Sequence, residues 1–303
     1  MSRFLRSLLP LFVLLLALPA PALAQASAAD SSSIEALIRR GDQAFARRHQ
    51  GAAGGQARPE PIGEAVAAYR QALFEADRLD VADRLDVRVR LLRGLFFLAR
   101  YATPDPARRK ALYEEGREVF EDGLDRLGER LGARLDKADP EELAQLLPDP
   151  RAAGELYFWG AVHWGLWGES FGTMASIRRG VAGRIRRYGE SARELVPEYE
   201  NAGAYRLLGR LHALAPRVPL FTGWIDHDLA VEYLERAVEL APEDPLNRYF
   251  LAEALLEFAR DQHERARGLL ESAAQATPRP GRSLEDAEAI ADAQARLAEL
   301  QRP

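Results

Sequence analysis

Gly168-Glu169-Ser170-Phe171-Gly172 spells, letter for letter, the nucleophile elbow of serine hydrolases. That chemistry needs a buried strand before the serine and a helix after it, so that a strained turn exposes the hydroxyl. It also needs an acid and then a histidine downstream to orient and take the proton, and Asp226 with His263 is only a formal pair. An aromatic helical segment precedes Ser170, so a hydrolase using it is a remote alternative. Asp226-His227-Asp228 has the donor types of a metal site, but adjacent side chains point in different directions. Asp228 is instead placed to cap a helix beginning at Leu229. His49, His163, His212 and His263 follow no ligand spacing. No catalytic residue, metal or cofactor is assigned, and the chain reads as non-enzymatic.

The other chemistry on offer is apolar contact. On a helical wheel Tyr157, Gly160, Trp164, Trp167, Gly168 and Phe171 share one face, while Phe158, Trp159, Val162 and Leu166 share the other. A helix that is apolar all round is either wholly buried or lines a pocket. Tyr157, Trp159, His163, Trp164 and Trp167, with Trp224 from a long loop, are the candidate contacts for a ligand or partner. The alternative is simple core packing. Arg178, Arg179, Arg184, Arg186 and Arg187 form a basic run, read as a solvated helix face.

The elements that must hold these residues are helical hairpins. In one unit Tyr205, Leu208, Gly209 and His212 mark a first helix, and Ala230, Leu234, Ala237 and Pro242 a second helix and its stop. A second unit repeats the rhythm with Leu251, Ala252 and Leu255, then Ala266, Leu270, Ala273 and Pro278. The closing prolines lie 36 residues apart, against about 34 for a tetratricopeptide repeat. Small residues let paired helices approach, and each hairpin must stack on a neighbour to bury its remaining apolar face. The clearest repeats are residues 204–242 and 245–278, and a polar-faced helix over 283–301, opened by Ser283, caps the stack.

Upstream the repeats are degenerate. Ser32 with Glu35 predicts a capping box opening a helix through Ile34, Leu37 and Phe45, followed by a Gly/Ala/Pro-rich loop from Gln50 to Pro61. Ala65, Tyr69 and Ala72 continue the small-large-small rhythm. An apolar helix through Leu91, Leu95, Phe96 and Tyr101 breaks at Thr103-Pro104-Asp105-Pro106, and a second partner helix carries Gly116, Phe120 and Gly123. The period restarts near Asp139-Pro140 and ends at Pro148-Asp149-Pro150. The aromatic helix runs from Leu156 to about Trp167, and its partner from about Ser176 to Pro197. No sustained apolar-polar alternation marks a strand, so the expectation is an all-α, tetratricopeptide-type helical-hairpin solenoid.

The run Tyr157-Phe158-Trp159-Gly160-Ala161-Val162-His163-Trp164-Gly165-Leu166-Trp167, then Leu195-Val196-Pro197-Glu198-Tyr199 and Tyr205-Arg206-Leu207-Leu208-Gly209, resembles the T-component family of tetratricopeptide-associated TRAP transporters. The enlarged loop that follows in that family corresponds to Ala215 to Asp228. The resemblance covers most of Leu156 to Pro242 and rests on helix order alone from Ile34 to Leu147. It implies an extracytoplasmic helper that docks the solute-binding receptor of a TRAP system, with a small organic or hydrophobic ligand. Family members often carry a lipidated cysteine at the mature start, where Gln25 stands here. A generic envelope scaffold that binds peptide segments is the alternative.

Composition fits an exported protein. Residues 1–24 read as a cleaved signal peptide, with Arg3 and Arg6, an apolar run from Leu8 to Leu18, and Ala22-Leu23-Ala24 before the cut. Residues 25–303 then form one α-solenoid domain. The apolar run is too short to span a bilayer, so no membrane anchor is expected after cleavage. The 303 residues contain no cysteine, which excludes disulfides and lipidation and leaves core burial to hold the fold. Loss of Arg3 and Arg6 takes the formal charge from −5 to about −7, which speaks against nucleic acid as a partner. The expected location is the periplasm, and a homo-oligomer is compatible with the pattern.

Overall fold

The computed structural model describes residues 20–79, 84–218 and 221–302, with side chains from residue 32 onward. The expected signal peptide, residues 1–24, lies outside the described residues as far as residue 19. Among the described residues the chain is all α, with thirteen α-helices, a short 3-10 turn at Arg260–Gln262, and no sheet beyond an isolated bridge between Ala53 and Gln56.

In chain order the helices are α1 (Ala20–Ala46), α2 (Pro59–Arg78), α3 (Leu85–Tyr101), α4 (Pro106–Leu131), α5 (Pro140–Leu146) and α6 (Pro150–Phe171). They continue with α7 (Thr173–Arg179), α8 (Val181–Leu195), α9 (Tyr199–Leu214), α10 (His227–Leu240), α11 (Pro245–Phe258), α12 (His263–Ala274) and α13 (Ser283–Leu300). One local device starts α4, α5, α6 and α11. An aspartate (Asp105, Asp139, Asp149 or Asp244) precedes the first proline, and its carboxylate accepts from a backbone N–H one turn in. Proline has no N–H to lose there and its φ suits the first turn, so chain direction is fixed at each start by two residues.

Five details differ from the sequence expectations. The aromatic helix α6 starts at Pro150, not near Leu156, because Asp149 caps it and Pro150 fits its first turn. α1 is already running at Ala20, so Ser32 lies within the helix and not at its cap; the stretch before it is rich in alanine, the strongest helix former. Asp226, not Asp228, caps α10, its carboxylate accepting from Asp228 N at 2.9 Å. The helix predicted from Ser176 to Pro197 is broken at Gly180, whose φ of +61° ends α7 and opens α8. Ser283 opens α13 as its first residue, but no side-chain cap bond forms there.

Neighbours in sequence are neighbours in space. α1 packs on α2, α2 on α3 and α3 on α4; α4 packs on α6, α6 on α8, and each helix from α8 to α12 on its successor. A second set of contacts joins α3 to α6, α6 to α9, α9 to α11 and α11 to α13, so these helices also touch along an inner side. Small residues permit the approach. A Cβ on Gly160 would overlap the Phe120 ring of α4, and one on Gly209 would sit 2.5 Å from Leu234 of α10. The patterned residues Ala230, Leu234, Ala237, Leu251, Ala252, Leu255, Ala266, Leu270 and Ala273 are all fully buried.

The two ends of the described chain meet. Leu284 of α13 belongs to the same apolar cluster as Leu95 and Phe97 of α3. Arg48 donates to the Gly281 carbonyl and His49 Nε2 lies 3.1 Å from the same oxygen. Arg100 pairs with Glu288, which also accepts from Tyr101 Oη at 2.8 Å. A left-handed turn at Glu200, Asn201 and Ala202, with φ of 49°, 58° and 58°, carries the last link. Each such residue costs about 1 kcal/mol, and the Arg206 guanidinium braces the turn by donating to the Glu200 and Asn201 carbonyls at 3.1 and 3.2 Å.

Candidate ligand cavity

Between the inner helices the chain leaves a concavity that opens to solvent. A cavity of about 860 Å³ is lined by α3, α6, α7, the start of α8, α9 and its following loop, α11 and α13, with Phe45 from α1. None of α2, α4, α5, α10 and α12 contributes to its lining. Its size falls within the range of small-molecule sites. The apolar wall comes mainly from Phe96, Phe158, Trp159, Val162, Leu166 and Phe250. Phe96 and Phe158 pack on Trp159 with ring centroids 5.4 and 5.2 Å away, and Trp159 Nε1 donates to Tyr199 Oη at 3.0 Å. The indole polar group is thus satisfied while its ring borders the cavity.

One rim of the cavity is charged and internally matched. Glu200 pairs with Arg282 at 2.5 Å and with Arg93 at 3.4 Å. Glu285 lies 3.8 Å from Arg48 and 3.6 Å from His49. Burial pushes the Glu285 carboxyl above its ordinary range and, with the neighbouring Arg48 charge, pulls His49 down to about 4. Further round, Arg210 rests over the Phe250 ring, 4.1 Å from its centroid, and its pKa is lowered by burial. A second, smaller cavity of about 450 Å³ lies between α1, α2, α3 and α6, lined by charged side chains interleaved with Phe45, Val89 and Tyr199. Its charges satisfy one another, with Asp42 accepting from Tyr69 and Arg90 at 2.8 and 3.0 Å.

Of the residues singled out in the sequence, Trp159 borders the large cavity. Tyr157, Trp164 and Trp167 are buried on the opposite face of α6, among Phe120, Val181 and Tyr188 of the central core. Tyr157 Oη donates to the Leu135 carbonyl at 3.0 Å and Trp167 Nε1 to Glu114 at 3.2 Å. His163 is fully buried, its Nε2 bonded to the Leu92 carbonyl at 2.9 Å, and burial lowers its pKa to about 4. Trp224 packs on His212 and under Arg186, and does not reach the lining. The face of α6 that does line the cavity is the one bearing Phe158, Val162 and Leu166.

Ser170 lies in the last, exposed turn of α6, and no strand exists among the described residues to build an elbow around it. No hydrogen bond joins it to a histidine or carboxylate among those residues. Neither Asp226-His227-Asp228 nor any other group of three His, Asp or Glu among the described residues is arranged to hold a metal ion. No helix among them is long and apolar enough to cross a membrane. No protein-family model matches this chain, and no curated protein matches it at a significant level.

Of the lining residues, sequence reasoning named only Trp159 as a contact; it missed the apolar Phe96, Phe158, Leu166 and Phe250 and the polar Arg93, Glu200, Arg210, Arg282 and Glu285. Arginine is so frequent in this sequence that none of these arginine positions stands out.

Proposed function

We propose that this chain is a tetratricopeptide-type solenoid that serves as a non-enzymatic periplasmic helper of a TRAP-type uptake system, holding a small organic ligand and docking the solute-binding receptor. The observation that carries the reading is the aromatic-walled cavity of about 860 Å³ along the inner helices. A concavity of this size, mainly apolar with a few polar groups, has the features of a small-molecule site. The hairpin rhythm supports the repeat assignment: the small positions Gly209, Ala230, Ala252 and Ala266 lie at helix-helix contacts with little room for larger side chains. Exposed Leu214 and Phe221 at the cavity mouth offer apolar surface for a receptor.

The test is a native mass spectrum of the mature protein purified from its own periplasm. A complex with a solute receptor, or a retained small-molecule mass, supports the helper. A bare monomer that captures extended peptides shifts the reading to an envelope scaffold.

A further inference from the structure

The cavity is two things at once, an apolar chamber and a set of arginines, and the arginines are not equivalent. Arg93 and Arg282 face Glu200, Arg100 faces Glu288, and Arg206 donates to Asn247 Oδ1 at 2.7 Å with Asp244 at 3.9 Å. Arg210 has no hydrogen-bond acceptor and no carboxylate within ion-pair distance among the described residues; Tyr249, Glu253 and Glu169 act on it only at longer range, and its guanidinium rests on the Phe250 ring. Glu200, Glu285 and Glu288 on the lining are taken by other cations, while Glu169 and Asp292 are exposed and beyond ion-pair distance of Arg210.

A guanidinium withdrawn from bulk water and lacking an anion is costly, so such groups are normally paired. Resting on a ring uses the face of the guanidinium and leaves its in-plane N–H donors free, in the fork geometry that suits a carboxylate. The walls on either side are hydrocarbon: Leu207, Leu211 and Leu214 of α9, Leu166 of α6, and Phe250 of α11.

We infer that the cavity takes an anionic amphiphile, its carboxylate or sulfonate head on Arg210 and its hydrocarbon body along α6 and α11. This rests on the reading of the cavity as an organic-ligand site and adds the ligand's charge and the residue that selects it.

The experiment displaces a neutral apolar fluorophore, N-phenyl-1-naphthylamine, from the mature chain at pH 8 with dodecanoate and with dodecan-1-ol. The two competitors share a tail and differ in head charge. A chamber without a counter-charge favours the alcohol, because a carboxylate is harder to desolvate. With Arg210 in place, dodecanoate should compete at a concentration about tenfold lower than the alcohol, the scale of a charge-assisted contact. R210M should reverse that order while leaving dodecanol unchanged, and R210K, which keeps the charge, should retain part of the preference for the acid. Arg210 makes no hydrogen bond, so neither variant removes a structural one, and helical circular dichroism checks their folding. Equal competition by acid and alcohol in the wild-type chain, or a preference for the acid that survives R210M, overturns the inference and leaves the cavity reading intact. Failure of the fluorophore and both competitors to bind removes the cavity reading, and the inference with it.

Discussion

The two faces of α6 carry the same kind of residue and are used in opposite ways. On one, Tyr157, Gly160, His163, Trp164 and Trp167 pack against α4 and α8, with Tyr188 and Phe120 filling the remaining gap. On the other, Val162 and Leu166 are half-buried along the cavity, while Phe158 and Trp159 contribute to its wall yet are only 5% exposed, packed on Tyr199 and Phe96. The difference arises in the neighbours. α4 presents Gly116 opposite His163, where a Cβ would overlap the ring, so the helices approach until no room remains. Across the inner face α6 meets α9 closely only near Gly203, where a Cβ would overlap the Phe158 ring, and packs far less on it than on α4 and α8. Aromatic content alone therefore says nothing about binding; what stands opposite decides.

The comparison breaks most directly at Trp164. Its side chain is 1% exposed, and Trp164→Ala should cost about 3–5 kcal/mol of stability, as other buried Trp truncations do. Urea unfolding would read this as a lower midpoint with little change in slope. Binding of the fluorophore to the folded fraction should be unaffected. A Trp164 variant that is stable but loses binding would exchange the roles of the two faces.

His163 gives a pH signature for the packed face. Its folded pKa, about 4, lies below the ordinary 6.5 because burial disfavours the charged ring. Above pH 6.5 both states hold it neutral and its stabilising share is complete. As pH falls from 6.5 towards 4 the unfolded chain takes up the proton and the folded chain does not, so stability is lost over that window, by roughly 3 kcal/mol in all. His49, lowered to about 4 by burial and by Arg48, adds a similar slope at the seam between the chain ends. His163→Gln should therefore flatten part of the dependence of the urea midpoint between pH 7 and 4.5, and leave the His49 part. A wild-type midpoint that does not move over this range would mean that His163 is not sealed against water.

These outcomes bear on how much the sequence could tell. The helix start at Asp139 was readable because an Asp-Pro pair is a local instruction, whereas the same pair at Asp105 and Asp149 read only as a break and that at Asp244 went unread; the α9–α12 rhythm was readable because small residues recur at fixed spacing. The break at Gly180 was not: nothing local separates it from Gly172 or Gly183, and its left-handed φ is selected by how α7 and α8 dock. The orientation of α6 was silent for a different reason, since a helix that is apolar all round has no moment to aim it. Closure of the chain rests on pairs such as Arg48 with Gly281 and Arg100 with Glu288, which no local pattern brings together. Arg210 is the extreme case, because its distinction is the lack of a hydrogen-bonded or ion-paired carboxylate, and a missing pair leaves no mark in a sequence.

The finest test is at Leu166, on the open face two residues from Trp164. Leu166 is half-buried and borders the cavity. Truncation to alanine should cost only about 1 kcal/mol of stability, roughly half the value of a fully buried leucine. Its effect should appear instead in the fluorophore titration, as an affinity loss of about threefold to tenfold, because the ligand loses the same methyl contacts that the fold barely uses. The ratio of the two effects matters more than either value. Trp164→Ala should shift stability and leave affinity, Leu166→Ala should shift affinity and nearly leave stability, and a double variant should show the two losses as additive if the faces are independent. Non-additivity would mean that the cavity wall is set by the packing behind it, so that ligand binding on the inner face also tightens the aromatic core on the outer one.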